Sequence, residues 1–342
     1  MARQSMIITM AVALLLATAT SRAAEAEGKK VLQHFVGSWQ SEVTNKPAKW
    51  HPDGGKHTDR EYTTPVLKGQ FILGRQVAKP GNVKSLWLLT YKPKSQDYLF
   101  WFFNSEGVLG GEWSGTWDKA SQTWTGHAAD TPAGWTSHVS DHFPDNKSVK
   151  VAIWMKDESG TLLMDARATK RRQPDDAGKK TLTAWATNHK PDAPVSDELK
   201  VLNRMIGKWD TVAVSKQAEW TPQEIRTTGR TISTWTLNRS LVMVNTRNSD
   251  GTQGITLSAY DSQKKAFRSW WFGSEGYFNK SMGKWDELTE TLTSHAVLDD
   301  GLSMRTATRF INKDHHDVRV VITDDKGKLY FDCKWDITRR KK

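Results

Sequence analysis

Leu32-Gln-His-Phe-Val-Gly37-Ser-Trp39 and Leu202-Asn-Arg-Met-Ile-Gly207-Lys-Trp209 are one motif, Leu-x-x-x-x-Gly-x-Trp, written twice in the same chain. Working outward from it, Lys46-x-Ala48-x-Trp50 matches Lys216-x-Ala218-x-Trp220 without a gap. The match runs on through Tyr91 and Tyr260, Trp101 and Trp270, and Ser105-Glu106-Gly107 and Ser274-Glu275-Gly276. It then passes Gly115-Thr-Trp117-Asp118 and Gly283-Lys-Trp285-Asp286, and closes on His127-Ala128 and His295-Ala296. The offset starts at 170 and shortens by only a few residues, so the repeating unit is a whole domain, too long for a solenoid repeat. The duplication fixes the architecture and names no reaction.

Each copy opens on a helical pattern. In the second, Ser196 stands as an N-cap ahead of Leu199, Leu202 and Met205/Ile206, and Gly207 as a stop. After that almost everything alternates with period two, as in Thr231-Ile-Ser-Thr-Trp235-Thr-Leu237 and Asp317-Val318-Arg-Val320-Val-Ile322. Turn signals such as Asp157-Glu-Ser-Gly160 and Ser249-Asp-Gly251 separate the runs. About nine or ten short strands per copy, joined by tight turns, predict an all-β fold. We read it as two tandem antiparallel up-and-down β-barrels, each opened by a short helix. Closure removes exposed sheet edges, and a barrel of that strand number has room for one small ligand. The predicted domains span 29–187 and 196–342, joined by a linker at 188–195 stiffened by Pro191 and Pro194. Just before the linker, 173–180 reads as a loop. Segment 181–187 has strand character without a counterpart in the second copy, either an extra edge strand or a latch onto the partner barrel.

Residues 1–26 read as a secretory signal peptide. Arg3 precedes an apolar run from Met6 to Ala17, and A-x-A-like cleavage sites follow at 21–26. The run is too short to span a bilayer comfortably, so the mature chain is expected to be periplasmic or secreted, with no transmembrane segment. Cys333 is the single cysteine, which excludes an intramolecular disulfide and reads as a packed thiol. The formal charge of +11 gathers partly in Lys170-Arg171-Arg172 and in Arg339-Arg340-Lys341-Lys342. Such short runs are ordinarily solvated surface; the functional alternative is attraction to an anionic envelope lipid or a polysaccharide. Nucleic acid is disfavoured by the export signal and by the lack of a recognisable binding motif.

A short helix running into Gly-x-Trp and then a meander resembles the lipocalin and fatty-acid-binding barrels, in which the Trp plugs the closed end. More closely, each half resembles a family of bacterial lipocalin-like (calycin-type) domains of unknown function. The resemblance rests on Gly-x-Trp, on Phe71-Ile-Leu-Gly74-Arg75, on the turn at Tyr91 or Tyr260, on Gly-x-Trp-Asp, and on the basic ends at Arg171-Arg172 and Arg339-Arg340. The second half departs from it where Asn245 stands for Arg75 and Arg239 for Gly69. The resemblance implies a fold and ligand binding, with no catalytic residues to carry over.

Period-two counting nominates Arg75, Tyr91, Trp101 and His127 as ligand-binding residues in the first barrel, and Asn245, Tyr260, Trp270 and His295 in the second. The seventeen tryptophans sharpen the question, because Leu99-Phe-Trp101-Phe-Phe103 and Ser269-Trp270-Trp271-Phe272 are aromatic on both strand faces. Core packing is the ordinary account of such residues, and a pocket or stacking platform the functional one. His127 and His295 occupy matching positions, which raises an axial haem ligand that no other feature supports. His138 and His142, with Asp141 between them, suggest a metal, but on a strand they stand about 13 Å apart, too far for one zinc. His315-His316-Asp317 reads as a turn-like cluster. No resident cofactor or metal is therefore expected. No Gly-x-Ser-x-Gly, His-Glu-x-x-His, P-loop or dinucleotide motif is present, and enzyme activity is disfavoured. The leading reading is an exported protein holding a small hydrophobic or amphipathic molecule in one or both barrels. The alternative is an envelope interaction module that holds polysaccharide, anionic lipid or protein through Trp-rich and basic surfaces.

Overall fold

The structure, a computed structural model, describes residues 25–187, 197–298 and 300–341. Most of the predicted signal peptide, the linker at 188–195 and the Ser196 cap lie outside the described residues. The chain divides into two units, 1–187 and 188–342.

In the first unit, helix α1 (residues 25–35) leads into β1 (Gly37–Asn45), β2 (Gly55–Val66), β3 (Phe71–Lys79), β4 (Lys84–Lys92) and β5 (Asp97–Asn104). The meander continues through β6 (Leu109–Asp118), β7 (Thr123–Ala128), β8 (Thr136–His142), β9 (Ser148–Lys156) and β10 (Leu162–Gln173), and helix α2 (Asp175–Thr187) follows. Consecutive strands pair antiparallel and β10 returns to β1, so the sheet closes into a ten-stranded barrel. The second unit repeats the plan. After α3 (Asp197–Asn203) come β11 (Gly207–Ser215), β12 (Ile225–Thr236), β13 (Leu241–Asn248), β14 (Gln253–Asp261) and β15 (Ala266–Gly273). Strands β16 (Phe278–Asp286), β17 (Thr291–Val297), β18 (Ser303–Asn312), β19 (His315–Thr323) and β20 (Leu329–Arg339) complete a second closed barrel. His315 and His316 thus open a strand rather than forming a turn cluster.

The Gly-x-Trp motif has a specific physical basis. Trp39 lies opposite Arg172 in the β1–β10 ladder, and the Arg172 guanidinium sits 4.3 Å above the Trp39 ring. The same guanidinium donates to the carbonyls of Val36 and Asn146, both at 2.7 Å. In the second unit Arg339 sits 4.1 Å above Trp209 and donates to the carbonyls of Ile206 and Lys313 at 3.1 and 2.8 Å. Each indole in turn donates to the chain just before β1 or β11, Trp39 to Phe35 O at 3.1 Å and Trp209 to Met205 O at 2.8 Å. Glycine two residues before each Trp is required twice over. Gly37 and Gly207 have φ of +136° and +145°, and a Cβ at either would collide with the crossing arginine's Nη1. Above this plate Val31, Leu32 and Phe35 of α1 pack with Trp39, Trp113 and Phe143, and Leu202 of α3 packs with Val242 and Phe267. One end of each barrel is thereby sealed.

Segment 173–187 corrects the sequence reading. The predicted loop and strand form one helix, α2, on the outer wall of its own barrel. Asp175 and Asp176 follow Pro174 and favour the positive end of the helix dipole. The period-two appearance of 181–187 came from its threonines. Thr181 and Thr183 satisfy their hydroxyls on the carbonyls four residues back, at 3.1 and 2.9 Å, and so sit comfortably in a helix. Gly178, Thr181 and Trp185 form the face turned to the barrel; Gly178 packs on Tyr62, and Lys84 Nζ donates to Trp185 O at 2.7 Å.

Removing either crossing arginine should loosen the sealed end. For Arg172→Ala and for Arg339→Ala we expect a loss of about 1–3 kcal/mol, from one stacked cation and two charge-assisted hydrogen bonds. Urea unfolding followed by tryptophan fluorescence measures this, and a change within error at both positions would show that the crossing contributes nothing.

Candidate functional site: the interior of the first barrel

Trp39 points into the barrel, and strand alternation with ladder register carries that direction around the sheet. Ser41 shares its face; opposite Trp39 and Ser41 on β2 stand Glu61 and Asp59, and opposite Ser41 on β10 stands Lys170. Gln76 faces Glu61 from β3, and Asp141 on β8 faces Trp124 on β7. Two unlike walls result. From β4 to β7 the inward residues include Trp87, Phe100, Phe102, Trp113 and Trp124, with ring centroids 5.5 Å apart for Trp87–Phe100 and 6.3 Å for Phe100–Trp124. From β2, β3, β8 and β10 they include His57, Asp59, Glu61, Gln76, Asp141 and Lys170.

The polar groups are partly paired. Lys170 Nζ lies 3.2 Å from both Glu61 carboxylate oxygens, and Trp87 Nε1 donates to Glu61 Oε2 at 3.2 Å. Gln76 Nε2 donates to Asp59 Oδ2. Asp59 Oδ1 is buried without a hydrogen bond, and His57 Nε2 stands 3.5 Å from it. Burial pushes the Asp141 carboxyl up to about 6 against the pull of Lys170, and Glu61 adds to the rise. Burial also raises Asp59, opposed by His57 and Gln76. Burial alone would lower Lys170, but Glu61, Asp141 and Asp59 together hold it above its ordinary value. Phe100, Val139, Asp141, Val151, Ile153 and Lys170 all point inward yet keep accessible surface, 21% of the side chain for Lys170.

The second barrel has the same frame and a different lining. Aligning Trp209 with Trp39 places Gly229, Thr231, Thr246, Thr308 and Ile337 where the first barrel has Asp59, Glu61, Gln76, Asp141 and Lys170. The hydroxyls pair among themselves, Thr231 with Thr246 at 3.1 Å and Ser258 with Ser269 at 2.9 Å. Inward His316 meets the Trp209 ring edge-on at 4.6 Å; burial, with His315 and Arg339 nearby, lowers its pKa to about 4. Cys333 also faces this interior, and burial raises its thiol.

The eight nominated residues do not converge. Tyr91 and Tyr260 point inward at the sealed ends, Tyr91 tilted against Tyr98 at 5.0 Å and Tyr260 edge-on to Phe267 at 5.2 Å. The other six occupy the outward register. Arg75 lies 5.6 Å from the Trp185 ring of α2, Trp101 is 6.5 Å from Phe71, and Trp270 is 4.7 Å from the Arg268 guanidinium. His127 and Asn245 are exposed, and exposed His295 pairs with Ser303 Oγ at 2.8 Å. Where both faces of a strand are aromatic, period two fixes the alternation but not its direction, and the inward residues next to Trp101 are Phe100 and Phe102. His138 faces outward and stacks on Trp154 at 5.7 Å, leaving Asp141 as the interior member of its trio. Among the described residues no three His, Cys, Asp or Glu side chains gather as a metal site, and no helix is long and apolar enough to cross a membrane.

The two interiors should respond oppositely to acid. Raised from 3.8 to about 6, Asp141 binds more protons folded than unfolded, so its contribution to stability falls as pH rises through that window. Lowered from 6.5 to about 4, His316 binds fewer protons folded, so its contribution is lost as pH falls through that window. The melting-temperature gain of Asp141→Asn over wild type should therefore widen toward pH 7, and that of His316→Phe should widen toward pH 4. Flat differences across the range would mean that neither group is held away from water.

Residues 195–339 match a family described as a protein of unknown function, DUF1579. No curated protein matches the chain. Among solved structures, a protein of unknown function from the DUF3598 family of Nostoc punctiforme is 10% identical, with 91% of this chain and 98% of that one covered and a TM-score of 0.29. An S-type phycobiliprotein lyase, CPES, from Guillardia theta is 12% identical, with 46% of this chain and 99% of that one covered and a TM-score of 0.31.

Proposed function

We propose that the chain is an exported binding protein whose first barrel holds a small, partly apolar molecule. One observation carries this reading. The inward face of the closed barrel sets an aromatic wall, Trp87, Phe100 and Trp124, against a polar one, and inward Phe100, Asp141 and Lys170 keep accessible surface. The aromatic wall supplies the apolar contact that small-molecule sites ordinarily use. Export rests on the signal features of residues 1–26, and no reaction is assigned.

Native mass spectrometry with an absorbance spectrum tests this on the mature chain, expressed from Glu27 and recovered from the exported compartment. We expect a reproducible extra mass that is lost on denaturation and lost in Ala168→Phe, which fills the space beside Lys170. A chain that is always empty and fails to take up any small amphiphile would overturn the reading, and a Soret band would identify haem as the occupant.

The envelope-module reading has one feature in its favour. Trp50 and Trp220 occupy matching loop positions and are 47% and 48% exposed, Trp50 lying 6.1 Å from Trp135. Retention on a polysaccharide column should then weaken in Trp50→Ala and Trp220→Ala; equal retention would remove that reading.

A further inference from the structure

We propose that the outer wall of the first barrel, on β2, β1, β10 and β9, is a docking surface for an acidic polysaccharide, a sugar chain with carboxylates among its hydroxyls. The surface lies outside the barrel, so the inference does not depend on what the interior holds.

Register decides which basic residues make it. Trp39 points inward, so Lys56 and Arg60 on β2, Arg171 on β10 and Lys150 on β9 point outward, and all four are exposed. Lys170 and Arg172, the neighbours of Arg171 in the basic run, turn the other way, toward Glu61 and the Trp39 ring. Arg60 and Arg171 flank Gln40 in one row, two strand spacings or about 10 Å apart. Among the described residues two carboxylates, Glu42 and Asp165, share the outer faces of these strands. Asp165 is already taken by Lys46 at 3.1 Å and Arg167 at 2.9 Å. The wall therefore keeps a surplus of positive charge.

The middle of the wall says what kind of anion fits. Gln40, Glu42, Thr169, Arg171 and Gln173 surround a depression of about 120 Å³. A carboxylate can accept from the Arg171 guanidinium there, while the amides and Glu42 need partners that both donate and accept, as sugar hydroxyls do. A bare polyanion would meet Glu42 with repulsion alone. Curvature argues against a membrane surface. In a closed ten-stranded barrel the outward direction turns by roughly 110° from β2 to β9, so a flat bilayer reaches part of the wall where a flexible chain can follow all of it.

The second barrel is an internal control. Aligning Trp209 with Trp39 and Arg339 with Arg172 places Asp210, Asp317 and Asp336 where the first barrel has Gln40, Lys150 and Thr169. Those carboxylates neutralise their own wall: Asp210 pairs with Arg340 at 2.6 Å, Asp317 with Arg309 at 2.9 Å, and Asp336 with His315 at 3.1 Å. The same strands thus carry a paired surface in one barrel and an unpaired basic one in the other.

Binding of the full mature chain to immobilised polygalacturonate, with dextran as the neutral polymer and phosphatidylglycerol vesicles as the lipid surface, tests this. We expect salt-sensitive binding to polygalacturonate and none to dextran. Arg60→Gln with Arg171→Gln should weaken it roughly five- to tenfold, the range of two exposed charge contacts. Lys284→Gln with Arg305→Gln, the same change in net charge made on exposed strands of the second barrel, should leave it unchanged. Gln40→Asp with Thr169→Asp, which copies the second barrel's wall, keeps the test open should the arginine variant fail to fold, and is expected to weaken binding as well. No binding to polygalacturonate, or equal loss in the wall and control variants, overturns the inference. Vesicle binding as tight as polygalacturonate binding and lost in the same wall variants overturns it in favour of a lipid surface.

Discussion

An arginine crossing the face of a tryptophan, at the point where the last strand meets the first, is the contact on which each barrel depends. Arg172 over Trp39 and Arg339 over Trp209 join the two ends of a ten-strand meander, and the same guanidinium reaches back to the carbonyl just before the first strand. Closure, helix anchoring and a sealed floor therefore share one set of atoms. The contact also fixes parity: once the tryptophan points inward, the direction of its neighbours follows from alternation and register around the sheet. Which residues form the interior is thus settled at the floor.

A frame set at its floor leaves its middle free to differ. Across the two barrels the floor is the same to the level of individual hydrogen bonds, whereas the mid-barrel lining changes from carboxylates and an ammonium to hydroxyls, a glycine and an isoleucine. Paired hydroxyls such as Ser258 and Ser269 satisfy one another without charge and cost little to enclose. The Glu61–Lys170 pair is a different proposition, because two ions must leave water and their attraction repays that only with good geometry and further hydrogen bonds. Trp87 supplies one such bond to Glu61, which ties the charged wall to the aromatic one.

The sequence was legible where one residue type has one physical role. Gly-x-Trp and the basic strand ends were readable because a positive φ, a plugging ring and a crossing arginine each demand their own chemistry. Alternation gave the strands and the barrels, and the three- and four-residue spacing ahead of Gly207 gave the opening helix. It could not give facing through Leu99–Phe103, where both faces are aromatic, so Trp101 was nominated in place of Phe100 and Phe102. The informative signal lay in the polar strand: Asp59-x-Glu61 alternates like any half-buried strand, and only the register to Trp39 shows that its acidic face is the inner one. Asp141 was hidden in the same way, between two outward histidines that drew attention as metal ligands. Helix α2 was missed because threonines that bond back along a helix imitate the alternation of a strand.

The second barrel bears directly on why the first is charged. Isolated charges in an enclosed, partly apolar interior work against folding, and such groups shift their proton affinity to escape, as Asp141 does. One could suppose that a ten-strand barrel of this kind needs a buried ion pair to set its register. The sister barrel, with the same strand order, the same floor and Thr231 facing Thr246 where Glu61 faces Gln76, closes without one. Register is already fixed by the arginine crossing and by the tight turns. The charges in the first barrel are therefore surplus to the fold.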